Sequence, residues 1–543
     1  MSLLSTRLAR LIAPALLAAA FAAPADDRAD LARIEDAYAD MNDALGAVGL
    51  IDSGYAASHA GRDGKAWSSV LEDRRNAVRA GLATLRDGKL SAEDQRAVRL
   101  MREAVQPTDA SAGLAPVAHC TDASQPGLAY TALSEALYAC FDELGNNIEF
   151  EGARQTRVAA FDLLARIEEP ERRKALFMAF VPLWQAINAD NGAGSPYRRL
   201  IEMAAAEARK HGSEIDAAAR TMGVSSASVE EWLTRVLDAW RVASGDAAIE
   251  PWDYRHAGGG VERALGDVVP RDALQRLSAR YYSDLGADLV SMGTLYDLEP
   301  RAGKAPLAYA DFLSRGRYVG GVWRPTTTRV SANYSRGGLG VLNELVHEDG
   351  HVVHMMAVRT RPAFMDLGDS LFVEAFADVP SWNTFDPAWQ RKYLGRSAPE
   401  AVSLRSLYSS VMLDVAWALF ELRMLRDPSA DPNAVWTAIT SRYLHIVPHP
   451  EVPWWAVRVQ LVGSPGYMVN YGLGAVLTAD LRKHVAAQLG PFETGDPRWY
   501  GWLTARLLQF GMSRDTATLL REFLGRPVSP DALIADIARI SDE

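Results

Sequence analysis

Along most of the chain, apolar residues recur three and four positions apart, the spacing that places them on one face of a helix. Segments such as DLARIEDAYADMNDAL (30–45) and DALQRLSARYYSDLG (272–286) carry this pattern, with short Gly, Pro or Asp clusters between them, from about 27 to 286. One long interruption, roughly 105–127, is rich in Ala, Pro, Ser and Asp and reads as a surface loop. Between about 292 and 340 the helical period is lost. DLEPRAGKAPLAYADF and VWRPTTTRVSANYSRGG instead carry Gly, Pro and β-branched residues at short intervals, which predicts turns and a few short strands. Helical spacing returns at 341 and runs to the end through SLRSLYSSVMLDVAWALFELRML and DALIADIARI. The pattern predicts a mainly α protein, a large multi-helical body with a small β element, divided as 1–25, 26–290 and 291–543.

The first 25 residues stand apart. Arg7 and Arg10 precede an apolar run from Leu11 to Ala22, followed by small residues and then acids, the layout of a secretory signal peptide. That run is too short to span a bilayer, and nothing later approaches the ~20 apolar residues a membrane helix needs. Export to the periplasm or the medium is therefore expected, with no membrane span left once the leader is removed. The two cysteines, Cys120 and Cys140, both lie in the exported part. In an oxidising compartment such a pair is a candidate disulfide, and closing a loop of about 20 residues contributes ~3 kcal/mol. The formal charge is −11, and losing Arg7 and Arg10 with the leader makes it −13 (−11 minus 2). Nucleic acid is excluded as a partner on this ground, because phosphate binding needs a basic surface.

Residues 341–356 read VLNELVHEDGHVVHMM. On a helix, His347 and His351 are four apart and share a face, so they can present two imidazoles to one cation, with Glu348 beside them to handle a water proton. Leu342, Leu345, Val352, Val353 and Met356 supply an apolar face, and Asn343, His347, His351 and His354 share the other. Gly350 weakens the helix by ~1 kcal/mol and so points to close approach by another group. With ten histidines in the chain, a His-Glu-x-x-His arises by chance in about one sequence per hundred of this kind. A third ligand lowers that chance. LFVEAFAD (371–378) places Glu374 23 residues beyond His351, room for one helix to end, a loop to turn and a second helix to return. A carboxylate amid Leu371, Phe372, Val373, Ala375 and Phe376 calls for a partner. Asp378, four residues on, is on the same face and suited to accept a hydrogen bond from a ligand histidine and fix its tautomer. The expected cofactor is one Zn2+ ion, although two imidazoles and a carboxylate also accept cobalt or manganese.

With these residues in view, the sequence resembles the zinc oligopeptidase family that includes thimet oligopeptidase and oligoendopeptidase F. DLEPRAGKAPLAYA (297–310), RVSANYSRGG (329–338), VLNELVHEDGHVVH, FVEAFAD and YMVNYGLG (467–474) are similar, in order, to stretches of that family from about 290 to 480. The resemblance implies an ellipsoid with a deep channel, zinc at its floor and short peptides as substrates. Two departures stand out. Where the family carries a histidine shortly before its paired tyrosines, this chain has Gln460 and Leu461, with His445 and His449 further upstream. EAFADVPSW also looks as much like the angiotensin-converting or thermolysin-like zinc peptidases.

The chemistry expected is peptide hydrolysis by an activated water. Glu348 takes the water proton and later passes it to the leaving amine. Tyr467 and Tyr471 are candidate hydrogen-bond donors to the oxyanion. Ala332, Asn333 and Tyr334, near the end of a predicted strand, are candidates to bind substrate backbone as an added strand. The Gly337-Gly338-x-Gly340 cluster, with no Lys-Ser/Thr after it, is read as a tight turn. Two other readings stand beside the oligopeptidase. One is an exopeptidase of the same zinc class, which needs a charged group to hold the substrate terminus. The other is a catalytically impaired peptide-binding protein.

Overall fold

The computed structural model describes residues 27–86, 89–106, 118–301, 304–305 and 307–540, so the expected signal peptide lies outside the described residues. The protein is mainly helical, as the periodicity predicts, with strands confined to short pairings. One continuous apolar core runs from Ala123 to Ile540. The change of pattern near 290 coincides with the three-stranded sheet, which begins at Thr294, and the same core continues on both sides of it. A second, smaller core gathers residues of 31–105 around Trp67, Val78 and Met101 and rests on Ala363 and Phe364. No helix among the described residues is long and apolar enough to cross a membrane.

Cys120 opens a short 3-10 turn and Cys140 lies on the helix Tyr130–Glu143, and the two are joined as a disulfide. The bond ties the end of the Ala/Pro-rich interruption to the main core, where Cys140 is fully buried.

The three-stranded sheet beside the site has the order Thr294–Asp297, Thr327–Ser331, Tyr309–Ser314. The last strand in sequence is thus central, parallel to the first and antiparallel to the second. Buried charges lock it in place. Lys304 donates to the Ala332 carbonyl (2.6 Å) and to Asp297 Oδ1 (3.1 Å), which Arg301 also grips. Arg329 reaches Asp311 and Ser53, tying the sheet to the first helix, Asp27–Asp52.

The helix Leu339–Ala357, the motif helix, begins immediately after the glycine cluster. Gly338 has φ 124°, a conformation other residues rarely adopt, and a Cβ on Gly337 would stand 1.9 Å from the Val269 carbonyl oxygen. No side chain at the helix's own N-cap caps it. Glu262, from a different helix, does so instead, accepting from the Leu339 amide (3.2 Å) and the Gly340 amide (2.9 Å). Arg166 pairs with both Glu262 and Asp162, and Arg336 pairs with Asp162 at 2.7 Å. Glu262→Ala should therefore lower stability by about 1–2 kcal/mol in urea denaturation, the cost of losing a helix cap, with Arg166 left half-paired.

Candidate metal centre

The motif helix is buried on nearly all sides. Leu342, Leu345, Val346, Val352 and Val353 are wholly inaccessible, and Asp349 is held by Ser278 Oγ (2.5 Å) and Tyr296 OH (2.9 Å). It lies against the helix Ser370–Ser381, whose first turn is capped by Asp369 accepting from the Phe372 amide. Gly350 marks the crossing: a Cβ there would stand 2.7 Å from Ala377 Cα and 2.8 Å from its carbonyl oxygen. Asn343 binds the two helices further along by donating to the Ser381 carbonyl (2.9 Å). His354 does not share the polar face as the sequence pattern suggests. It is buried edge-on between Phe372 and Phe376, and burial pushes its imidazole down to about 3, so it packs as a neutral ring.

Across this seam the side chains of His347, His351 and Glu374 converge, their ligand atoms all within 4.8 Å of one another. Glu374 Oε2 is 3.4 Å from His347 Nε2 and 3.9 Å from His351 Nε2. Ligand atoms around a tetrahedral zinc, each about 2.0–2.2 Å from it, stand about 3.3–3.5 Å apart, so these three groups fit a divalent cation. Asp378 Oδ1 lies 2.7 Å from His347 Nδ1 and accepts its proton in a hydrogen bond. Although burial opposes it, Asp378 and Glu374 raise the His347 imidazole well above its ordinary value, so a cation bound at Nε2 would displace the second proton.

Identical burial sends the acids in opposite directions. Burial opposes ionisation of Glu374, but hydrogen bonding and charge from His347 and His351 prevail and hold it down at about 2. Glu348 is raised to about 8, by burial first and then by Glu344, Glu374 and Asp349, against the pull of His347. Its Oε2 is buried with no hydrogen-bond partner. His351 is lowered to about 4 by burial and His347, leaving a neutral ring suited to ligation.

The third wall is the helix Met468–Leu489. Its Gly472 allows close contact, since a Cβ would stand 2.6 Å from Ala418 Cβ on the helix Glu400–Arg426. Tyr467 OH donates to Glu374 Oε1 at 2.8 Å, so this tyrosine is committed to the ligand carboxylate. Tyr471 packs against it, ring centroids 5.8 Å apart, lines the cavity, and has no hydrogen bond from its hydroxyl among the described residues. Glu421, buried in the long helix, accepts from the Met468 amide at 2.9 Å and so fixes where Tyr467 begins its helix.

A cavity of about 860 Å³ opens over these groups. Ala332, Asn333 and Tyr334 do not line it, and the expectation that they receive an added strand is corrected here. The strand leading to them is paired on both edges, the Ala332 and Tyr334 amides donate to Asp297 and Leu298, and Lys304 occupies the Ala332 carbonyl. The edge facing the cavity is instead the strand Tyr309–Ser314, with Leu307 to Ala310 in its wall. His445 and His449 do not fold back toward the site. His445 Nε2 meets the Arg241 carbonyl, and His449 is held between Glu250 and Glu451. Gln460 does line the cavity.

Sequence reasoning missed the cationic end of this cavity. Arg157, Arg255 and Arg458 all line it. Arg458 pairs with Asp414 at 2.7 Å and lies over the Tyr471 ring at 5.4 Å. Neither the Arg157 nor the Arg255 guanidinium has a hydrogen bond or ion pair among the described residues. Both lie over Phe161, at 5.7 and 3.9 Å, and burial followed by the Arg458 charge pushes each down to about 10.

No family model and no curated protein matches this sequence. Solved structures do match its fold. Trypanosoma cruzi metallocarboxypeptidase 1 aligns with 95% of this chain and all of its own, at 14% identity and a TM-score of 0.55. The M32 carboxypeptidase from Deinococcus radiodurans R1 aligns over the same shares at 13% identity and a TM-score of 0.57. The likeness is one of fold.

Two outcomes test this geometry. Gly350→Ala improves helix propensity by ~1 kcal/mol yet drives a methyl into backbone. A net loss of about 2 kcal/mol, with at least tenfold weaker zinc binding by calorimetry, is expected. Glu421 is raised to about 8 by burial, well above its unfolded value near 4.5. The stability it contributes is fully present below pH 4.5 and is lost as pH rises through about 8. Between pH 5 and pH 9, Glu421→Gln should thus lose less stability than the parent, by on the order of 1–3 kcal/mol in paired urea melts.

Proposed function

We propose that the protein is a metal-dependent peptidase that removes residues from the C-terminus of short peptides. The observation that carries this reading is the cationic part of the cavity wall, where Arg458 is linked to the metal ligand Glu374 through Tyr471 and Tyr467, and where Arg157 and Arg255, without a hydrogen bond or ion pair among the described residues, line the same cavity. A free carboxylate is the group such a place favours, because half-buried guanidiniums without a hydrogen-bonded counter-charge gain charge-assisted bonds from it. The fold shared with two metallocarboxypeptidases supports the same direction. The oligopeptidase expected from the sequence requires no such terminus-binding group, and the exopeptidase reading now stands ahead of it.

His347, His351 and Glu374 would hold the cation, zinc by the chemistry of the donor set. When bound, it supplies Lewis acidity toward a carbonyl and toward water. The chain's own groups do the rest. Glu348, with a free carboxylate oxygen in the cavity wall, takes the proton from the attacking water and returns it to the departing amine. Tyr471, its hydroxyl without a hydrogen bond among the described residues, is the candidate donor to the oxyanion, while Tyr467 steadies Glu374. The edge strand Tyr309–Ser314 offers backbone groups to the peptide, in place of Ala332 to Tyr334. Glu348 also weighs against a pure peptide-binding protein, which has no use for a base. Action outside the cytoplasm is supported by the leader pattern and by the Cys120–Cys140 bond.

Peptides of five to fifteen residues, incubated with mature zinc-loaded protein and read by mass spectrometry, test the reading. Successive loss of single C-terminal residues is expected, abolished by a C-terminal amide and by chelation, and reduced about 10²–10⁴-fold in Glu348→Gln. Internal cuts in amidated peptides would return the assignment to an oligopeptidase.

A further inference from the structure

The cationic end of the cavity holds more charge than one terminal carboxylate answers. Arg458 faces Tyr471, the aromatic that leads to the metal ligands, and Asp414 already takes part of its charge. The α-carboxylate of a C-terminal residue is a few bonds from the scissile amide, so Arg458 is the cation placed for it. Arg157 and Arg255 line the same cavity from the helices Arg157–Arg166 and Tyr254–Gly258, both against the Phe161 ring. Arg157 acts on Arg255 as a like charge, and Asp414, already paired with Arg458, offsets part of the Arg255 charge, but no carboxylate of the described residues hydrogen-bonds to either arginine. Glu344 is the nearest acid felt by Arg157, and its own carboxyl is raised by burial toward the neutral form. The cavity's remaining acids away from the metal, Asp162 and Glu262, are occupied by Arg166 and Arg336.

We propose that Arg157 and Arg255 form a second anion subsite, which takes the side-chain carboxylate of a C-terminal Glu or Asp, so that acidic C-terminal residues are the preferred substrates. This rests on reading the cavity as a peptide site. Two guanidiniums with no protein partner gain charge-assisted hydrogen bonds only from an anion the ligand brings. A C-terminal Gln offers the same shape without the charge, and a C-terminal Lys or Arg brings a third cation to a place that already holds two. Phe161 makes a cation–π contact with each of the two guanidiniums and so helps to hold them near one another.

The test separates binding from turnover. Zinc-loaded Glu348→Gln protein is titrated by calorimetry with N-acetylated tripeptides identical but for a final Glu, Gln or Lys. Binding of the Glu peptide at least tenfold tighter than the Gln peptide is expected, with Lys weakest. In Glu348→Gln carrying also Arg157→Gln or Arg255→Gln, the Glu-to-Gln ratio should fall toward one, while Arg255→Lys retains part of it. Thermal melting and zinc titration of each variant show that fold and metal site persist. Equal affinity for the Glu and Gln peptides, or a ratio untouched by either arginine substitution, overturns the subsite. Failure of the parent enzyme to release any C-terminal residue overturns the exopeptidase reading alone, since the affinity ratio is measured without turnover.

Discussion

The site depends on how closely the motif helix lies on the helix that carries Glu374. Where Gly350 meets Ala377, backbone touches backbone, and no larger residue fits at the first position without parting the two. That approach lets a carboxylate from one helix come within 3.4 Å of an imidazole on the other. The same device recurs behind it, where Gly472 lets the tyrosine helix settle on Ala418 and Thr478 Oγ1 donates to the Ala375 carbonyl. Asn343 bonded to Ser381 and His354 wedged between two phenylalanines fix the crossing at other points along the seam. Packed helices of this kind yield little, so the donor atoms are placed before any ligand arrives.

Burial then sorts the ionisable groups. Glu374 lies among imidazoles and a phenol and stays an anion, whereas Glu348, one residue from His347 but without a donor on Oε2, is pushed toward neutrality. One carboxylate is thereby suited to hold a cation and the other to exchange a proton, and environment alone makes the difference. Asp378 adds the proton bookkeeping for His347, while His351 has no counterpart at its buried Nδ1.

Much of this was legible in the sequence for a geometric reason. Helical period puts His347, Glu348 and His351 in register and Glu374 and Asp378 on one face, and a single loop joins the two helices. Gly350, unexplained by propensity, announced the close contact. The mainly helical class followed from the same period. Strand order was not legible: the third strand of the sheet lies in the middle, so Ala332 to Tyr334, last in sequence, are enclosed and the edge falls to Tyr309–Ser314. His354 looked polar by position yet belongs to the packing. The arginines were hidden most thoroughly. Arg157 and Arg255 come from short helices far upstream, where an arginine among apolar residues reads as an ordinary solvated side chain, and only tertiary folding brings them to Arg458.

The cavity wall thus combines the imidazoles and carboxylate of the metal group with three guanidiniums, Arg157, Arg255 and Arg458. In the proposed reading, a peptide entering it would be oriented by those guanidiniums before any side chain is recognised, since only one of its ends is an anion. Discrimination in such a site comes mainly from the penalty for the wrong ligand. By the same reading, an amidated or extended chain would deprive Arg458 of the terminal carboxylate, a C-terminal residue without an acid would leave Arg157 and Arg255 unanswered, and a polar group deprived of its partner discriminates far more sharply than an apolar pocket does. On that reading, the unpaired arginines are a cost to the free protein that would become selectivity when the right carboxylate binds, a reason for groups so poorly satisfied by the chain itself to line this cavity.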